Sequence, residues 1–399
     1  MAQEANVPDE VADIVRKAIG AFQENSLSDA IIGLEAALRY PMPEETCRDI
    51  CCQLSDWCTR TGDLGRARRH LIRAILLMPG DTRTRLEYAE LALVDSPALG
   101  LPELLAQVRR DRSARSALSL ARIFLRRGEV KRSVALARLG NARERKTRGL
   151  SRTAILDQWN ERKNRLVHLR PHWQRRDWYF GQRGDVQNVF ICGVPRSGST
   201  LLELMLLSME GVASVGESPE VQECLAAGLA GKPALTLRDL KVPAKIVLNK
   251  LMDNIYLADF ILEKIRNAKI LIINRNPESV FFSNYMQKYQ SDWDICYEDS
   301  TLADFIDDVR KRSEMLAAQW PGRVMAIDYE QLTRDPLRTF MKISVLLGLE
   351  GDRFDGQHLR ADTVHTASKL AVRQPLRDDM NQKYLKAARF MPYLRNRYS

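Results

Sequence analysis

The chain has 399 residues, 45% of them hydrophobic and 28% charged, which is ordinary globular material and long enough for two cores at roughly 100–200 residues per domain. Its net charge of +10 favours anionic partners, but the basic residues are spread along the chain, so a solvated basic surface is the simpler reading and a nucleic-acid partner is not expected. The start, MAQEANVPDEVADIVRK, carries acids where a secretory leader carries bases, and the richest apolar run, Leu201 to Met209, is broken by Glu203, so neither an export leader nor a membrane span is expected. Seven cysteines without a paired CxxC spacing point to a reducing, cytoplasmic setting and to no metal site. Cys47 and Cys51 lie one helical turn apart on an apolar face, which suits packing better than metal binding.

From about residue 9 to 168 the apolar residues recur at helix period, with almost no strand-like alternation. The clearest unit places Leu54, Ser55 and Cys58 on one helix, Gly62-Asp63-Leu64 at a turn, Ala67, Leu71 and Ala74 on a second helix, and Pro79 at its close. Small residues at those offsets let paired helices approach closely, as in a tetratricopeptide repeat. Related turns at Asn25-Ser26-Leu27, Ser96-Pro97-Ala98-Leu99 and Gly128-Glu129-Val130 give steps of 37, 34 and 32 residues. The sequence therefore predicts an all-α, tetratricopeptide-like helical repeat domain over residues 1–170. Pro171 and Gly184 punctuate a polar, aromatic-dotted stretch read as a linker over 171–187, with Trp173 and Trp178 available for packing.

The period then changes. Short β-branched runs at Val189 to Cys192, Ile246 to Leu248, Lys269 to Ile273 and Val324 to Ile327 alternate with helical stretches at Leu201 to Leu207, Asn254 to Ile265, Leu302 to Gln319 and Pro336 to Leu347. That alternation predicts an α/β domain over 188–399 with a parallel sheet covered by helices. Asp335 as N-cap, Pro336 at the first helical position and Gly348 as C-cap punctuate the last of these helices.

Val189 to Leu201 reads as a buried strand, a glycine-containing turn and a helix start, an arrangement that aims backbone N–H groups, hydroxyls and the positive helix end at one anion. The spacing from Gly193 to Gly198 approaches a Walker A loop, but Ser199 stands where its Lys belongs and Arg196 supplies the cation from inside the loop, which disfavours a nucleoside triphosphatase or kinase. A second element, Asn274-Arg275-Asn276-Pro277 with Ser283 beyond it, places an Arg and a hydroxyl after a strand, suited to a phosphate monoester.

The loop Pro195-Arg196-Ser197-Gly198-Ser199-Thr200 resembles the 5'-phosphosulfate loop of the sulfotransferases that use PAPS (3'-phosphoadenosine-5'-phosphosulfate), in the branch of tyrosylprotein sulfotransferases and bacterial sulfotransferases fused to tetratricopeptide repeats. Ser199 replaces the usual Thr and keeps the hydroxyl. The resemblance implies that Arg275 and Ser283 grip the 3'-phosphate of PAPS. It extends to Asn249-Lys250-Leu251-Met252, where Asn249 replaces a usual Asp, to Asp328-Tyr329-Glu330-Gln331-Leu332 with Asp335-Pro336, and to Thr366-Ala367-Ser368 with Val372-Arg373-Gln374-Pro375. Gln374 stands where the branch has a donor-binding Lys, so that role moves to Arg373.

A hydroxyl acceptor must lose its proton as it attacks sulfur. Many cytosolic sulfotransferases use His, yet no histidine lies between His172 and His358. Glu217, 21 residues after Arg196 and following a short second strand, matches the catalytic Glu of the tyrosylprotein branch, with Glu220 as the alternative. The resemblance thus implies catalysis by Glu217, Arg196, Lys250 and Ser368. It implies donor binding by Pro195 to Thr200, Arg275, Ser283, Tyr329, Ser368 and Arg373, with 3',5'-ADP as product and no metal. His365 is read as surface, and the basic, aromatic tail Arg389 to Arg397 as a partly frayed terminus, with contact to anionic partners as the alternative. The acceptor is a hydroxyl of a peptide tyrosine, a glycan or a small metabolite, and the repeats offer a face for a protein partner or self-association. The competing reading is a repeat scaffold whose second domain binds nucleotide without turnover.

Overall fold

The computed structural model describes residues 8–23, 26–95, 97–110, 113–174, 186–231, 244–289, 293–349 and 379–398. Its first part is helical: α1 (Asp9–Gln23), α2 (Leu27–Ala37), α3 (Glu44–Thr61), α4 (Leu64–Leu77), α5 (Thr82–Asp95), α6 (Pro97–Arg110), α7 (Ala114–Arg126), α8 (Val130–Arg148) and α9 (Arg152–Gln174). The second part runs β1 (Gln187–Gly193), α10 (Ser199–Leu207), β2 (Val212–Ser214), α11 (Glu220–Leu229), β3 (Ile246–Asn249), a 3₁₀ turn over Met252–Leu257, α12 (Ala258–Lys264), β4 (Ala268–Asn274), α13 (Pro277–Tyr285), a 3₁₀ turn over Asp294–Tyr297, and α14 (Asp299–Gln319). It closes with β5 (Val324–Asp328), α15 (Tyr329–Arg334), α16 (Pro336–Leu347), α17 (Asp379–Ala388) and α18 (Pro392–Tyr398). Contacts divide the chain into two compact units between Leu120 and Ala121.

In the first unit, successive helices pair as α1 with α2, α3 with α4 and α5 with α6. Gly62 ends α3 in a left-handed conformation (φ 87°), and the Asp63 carboxylate caps α4 by accepting from the Arg66 N–H at 2.8 Å. Leu54, Ser55, Cys58, Ala67, Leu71 and Ala74 are all buried, and small side chains let the pair approach. Phe22 stacks on Trp57 at 5.0 Å. Cys47 and Cys51 pack with Ala74, Leu38 and Leu77, and burial among them raises the Cys51 thiol to about 12.

The second unit holds a five-stranded parallel sheet in the order β2-β3-β1-β4-β5. Central β1 and β4 are buried on both faces, which is why they read as continuous apolar runs. On one face Val189 and Ile191 meet Leu202, Met205 and Leu206 of α10 and Phe340 and Ile343 of α16. The 3₁₀ turn after β3, α12 and α14 cover the strands as well. The expected punctuation of α16 holds: Asp335 accepts from the Arg338 N–H at 3.1 Å, Pro336 is the first helical residue, and Gly348 closes the helix with φ 69°.

Two helices before the sheet join the second unit. From α8, Asn141 donates to the Tyr285 carbonyl (2.8 Å), Arg145 to the Tyr297 carbonyl (2.7 Å), and Arg148 to the Tyr289 carbonyl (2.8 Å) and Asp294 (2.8 Å). Pro171 does not break the chain as its sequence context predicts. α9 runs through it to Gln174, held near its end by buried Trp173, which packs edge-on against Phe260 and donates to Glu263 at 3.2 Å. Gly184 and Trp178 lie outside the described residues.

Candidate functional site

β1 ends at Gly193 with φ 145°, where an added Cβ would lie 2.5 Å from the Ile273 carbonyl oxygen of neighbouring β4, so only glycine allows this approach. The chain turns through Val194 to Ser197 and enters α10 from Gly198, φ 106°, whose would-be Cβ falls 2.3 Å from the Tyr329 ring. Between the two glycines Arg196 also adopts positive φ, 69°, a conformation that costs an ordinary residue about 1–2 kcal/mol. Tertiary bonds hold it there. The Arg275 guanidinium donates to the Arg196 carbonyl at 3.2 Å, and Asn284 on α13 donates to the Pro195 carbonyl at 2.8 Å. The Arg196 Nε reaches the Ser283 hydroxyl at 3.4 Å. The Ser197 hydroxyl is buried and has no hydrogen-bond partner among the described residues. A buried, unpartnered hydroxyl two residues before a helix start is a cost that a bound anion removes. Burial drives the Cys192 thiol far up, so this cysteine beneath the loop stays neutral.

Arg275 follows β4 and lies over the Tyr329 ring at 4.4 Å. Its Nε donates to Asn381 of α17 at 3.1 Å, and its Nη2 reaches the same oxygen. The next residue, Asn276, caps α13 by accepting from the Ser279 N–H at 3.0 Å, and its own N–H is held by Glu330 at 3.2 Å. Desolvation raises the Glu330 carboxyl above the usual range, opposed by the Asn276 N–H.

At the end of β3, Lys250 is only 1% exposed and its Nζ meets two carboxylates, Glu203 at 3.1 Å and Glu217 at 3.2 Å. Glu203 sits one turn into α10, is 10% exposed, and accepts from the Ser214 hydroxyl at 2.7 Å. Glu217 lies just after β2 and is 55% exposed. The backbone joins them, since the Lys250 N–H donates to Gly216 at 2.8 Å. Asn249, where the resembling family carries Asp, is buried and uses both ends of its amide, donating to the Ser218 carbonyl (3.0 Å) and accepting from Asn254 (3.0 Å). A carboxylate could not make the first of these bonds.

Of the residues singled out from sequence, Pro195, Arg196, Ser197, Gly198, Ser199, Thr200, Arg275, Ser283 and Tyr329 gather around the β1–α10 loop, and Lys250 with Glu217 forms an ion pair tied to α10 through Glu203. Glu220 begins α11 and is buried. Ser368, Arg373 and His365 lie outside the described residues. Glu203, Asn381 and the role of Glu330 have no counterpart in the sequence reading. Glu203 gave a faint signal as the one acid in an apolar run, and Asn381 gave none. Among the described residues no cluster suits a metal ion, and no helix is long and apolar enough to cross a membrane.

Comparison with known proteins bears on this site. Residues 188–239 and 234–353 match the sulfotransferase family. An uncharacterized protein of Aquifex aeolicus (strain VF5) is 26% identical over 235 residues, 51% of this chain and 31% of that protein, so the match spans about a third of the relative's length. A sulfotransferase domain from the curacin biosynthetic pathway aligns at 17% identity and TM-score 0.31, over 50% of this chain and 97% of the other. The sulfotransferase from Alicyclobacillus acidocaldarius aligns at 16% identity and TM-score 0.33, over 53% and 94%. Residues 188–353 form a domain of the sulfotransferase family.

Proposed function

We propose that this chain moves the sulfuryl group of PAPS to an acceptor hydroxyl and releases 3',5'-ADP. The observation that carries the reading is the β1–α10 loop: a buried hydroxyl without a partner among the described residues stands just before a helix N-terminus, and Arg275 holds the Arg196 carbonyl of the same turn. PAPS supplies a sulfur atom bonded to a phosphate oxygen, a leaving group that departs as 3',5'-ADP. Pro195 to Thr200 hold the 5' end. Arg275, with Ser283 nearby, takes the 3'-phosphate, stacked on Tyr329. Arg196 and Lys250 stabilise charge that develops on the phosphate side as the bond from sulfur to the bridging oxygen breaks. Glu217, the more exposed partner of Lys250, accepts the acceptor's proton as its oxygen bonds to sulfur. Ser368 and Arg373 complete the donor site in this reading, and residues 1–170 serve acceptor or partner binding.

The acceptor is a hydroxyl of a peptide, glycan or small metabolite. Incubation with ³⁵S-labelled PAPS and fractionated host extract should place label in one of these classes, and Glu217→Gln should lower turnover by about 10²–10⁴. Label in no fraction, with 3',5'-ADP still bound, would favour the scaffold reading instead.

A further inference from the structure

We propose that Asn381 is a positioning residue that sets Arg275 to select a nucleotide bearing a 3'-phosphate. The inference rests on the donor reading above. It concerns α17, which contributes no residue to the sequence-derived site.

Asn381 is 6% exposed. Its Oδ1 accepts from both Nε and Nη2 of Arg275, and its Nδ2 donates to Glu330 Oε1 at 3.4 Å. Glu330 in turn holds the Asn276 N–H, so the carboxylate is fixed by the backbone beside Arg275. An acceptor-only carboxylate requires the NH₂ end of the Asn381 amide, which turns the carbonyl end toward Arg275. The guanidinium is then fixed on three sides: by Asn381 along one edge, by the Arg196 carbonyl at Nη1 (3.2 Å), and by the Tyr329 ring against its face. Three of its five N–H groups are committed among the described residues, leaving two for an anion.

A neutral amide does here what a carboxylate would spoil. Asp at this position would pair bidentately with Arg275, neutralise it, and face Glu330 as a like charge. Asn orients the guanidinium and leaves its full charge for the phosphate. α17 is itself anchored for this work: Tyr384, one turn after Asn381, stacks parallel to Phe282 of α13, and Lys383 donates to the Arg126 carbonyl at 2.9 Å.

The test compares 3',5'-ADP with 5'-AMP, which lacks only the 3'-phosphate, by calorimetry on the full chain. The wild type should prefer 3',5'-ADP. Asn381→Ala should weaken 3',5'-ADP binding about tenfold and leave 5'-AMP within twofold. Asn381→Asp should lose more of the preference than Asn381→Ala. Asn381→Ser, which keeps an acceptor oxygen, should fall between wild type and Asn381→Ala and serves where the alanine variant folds poorly. Equal losses for both nucleotides would mean a merely structural role, and an unchanged ratio would remove the residue from selection; either outcome overturns the inference and leaves the donor reading intact. A wild type without preference would overturn the donor reading, and this inference with it.

Discussion

Lys250 offers a sharp energetic test, because its two carboxylates stand at nearly equal distance, 3.1 and 3.2 Å, but differ in exposure, 10% for Glu203 against 55% for Glu217. At an effective dielectric near 20 a pair about 3 Å apart attracts by roughly 5 kcal/mol, whereas in bulk water the same pair is worth about 1 kcal/mol. Lys250→Met leaves the Glu203 charge buried with, among the described residues, the Ser214 hydroxyl beside it, so the expected cost is about 3–5 kcal/mol. Glu217→Gln removes the solvated partner and should cost about 0–1 kcal/mol. The double variant Glu203→Gln/Lys250→Met removes both buried charges and should recover most of the loss, since a neutral pair of similar size avoids the desolvation penalty. Equilibrium urea unfolding of the full chain, followed by tryptophan fluorescence, measures all three. A double variant no more stable than Lys250→Met, or a Glu217→Gln cost matching that of Lys250→Met, would refute the reasoning.

Gly198→Ala should destabilise the second unit by about 2–5 kcal/mol, summing a positive-φ cost with overpacking against the Tyr329 ring, and should weaken 3',5'-ADP binding because that ring supports Arg275; unchanged unfolding and binding would contradict the packing described. Glu330 binds its proton more tightly in the folded chain than in the unfolded one, so its contribution to stability is greatest below the unfolded value near 4.5 and is lost as pH rises through the folded value. Glu330→Gln removes that loss. Its urea midpoint should gain on the wild type between pH 4 and pH 7, and a gain in the opposite direction would overturn the assignment.

The parts of the fold legible from sequence are those set by neighbours along the chain. The apolar runs of β1 and β4, the Gly193 to Gly198 turn and the Asp335-Pro336 to Gly348 punctuation each encode local geometry in a few consecutive residues. Arg275 was legible because it follows a strand whose C-terminal end faces the same edge as β1. The missing parts are pairings across long chain separations. Glu203 looks like an interruption of an apolar helix until folding brings Lys250 to it, and Asn381 returns to Arg275 from a helix near the C-terminus. The basic residues spread along the chain read as a solvated surface, yet Arg145 and Arg148 of α8 are committed to the Tyr297 and Tyr289 carbonyls. Hydrophobic period cannot distinguish a solvated arginine from one that closes a loop.

Those carbonyl bonds set the smallest autonomous form of the domain. A fragment beginning at β1 would keep every strand but leave the Tyr285, Tyr289 and Tyr297 carbonyls without the α8 donors that hold them. From the same segment the Tyr289 hydroxyl donates to Asn284 of α13, whose amide supports the Pro195 carbonyl of the β1–α10 turn. α8 therefore acts as a splint whose removal would slacken the β1–α10 turn, and grafting this sheet onto a different set of helices would require carrying α8 along.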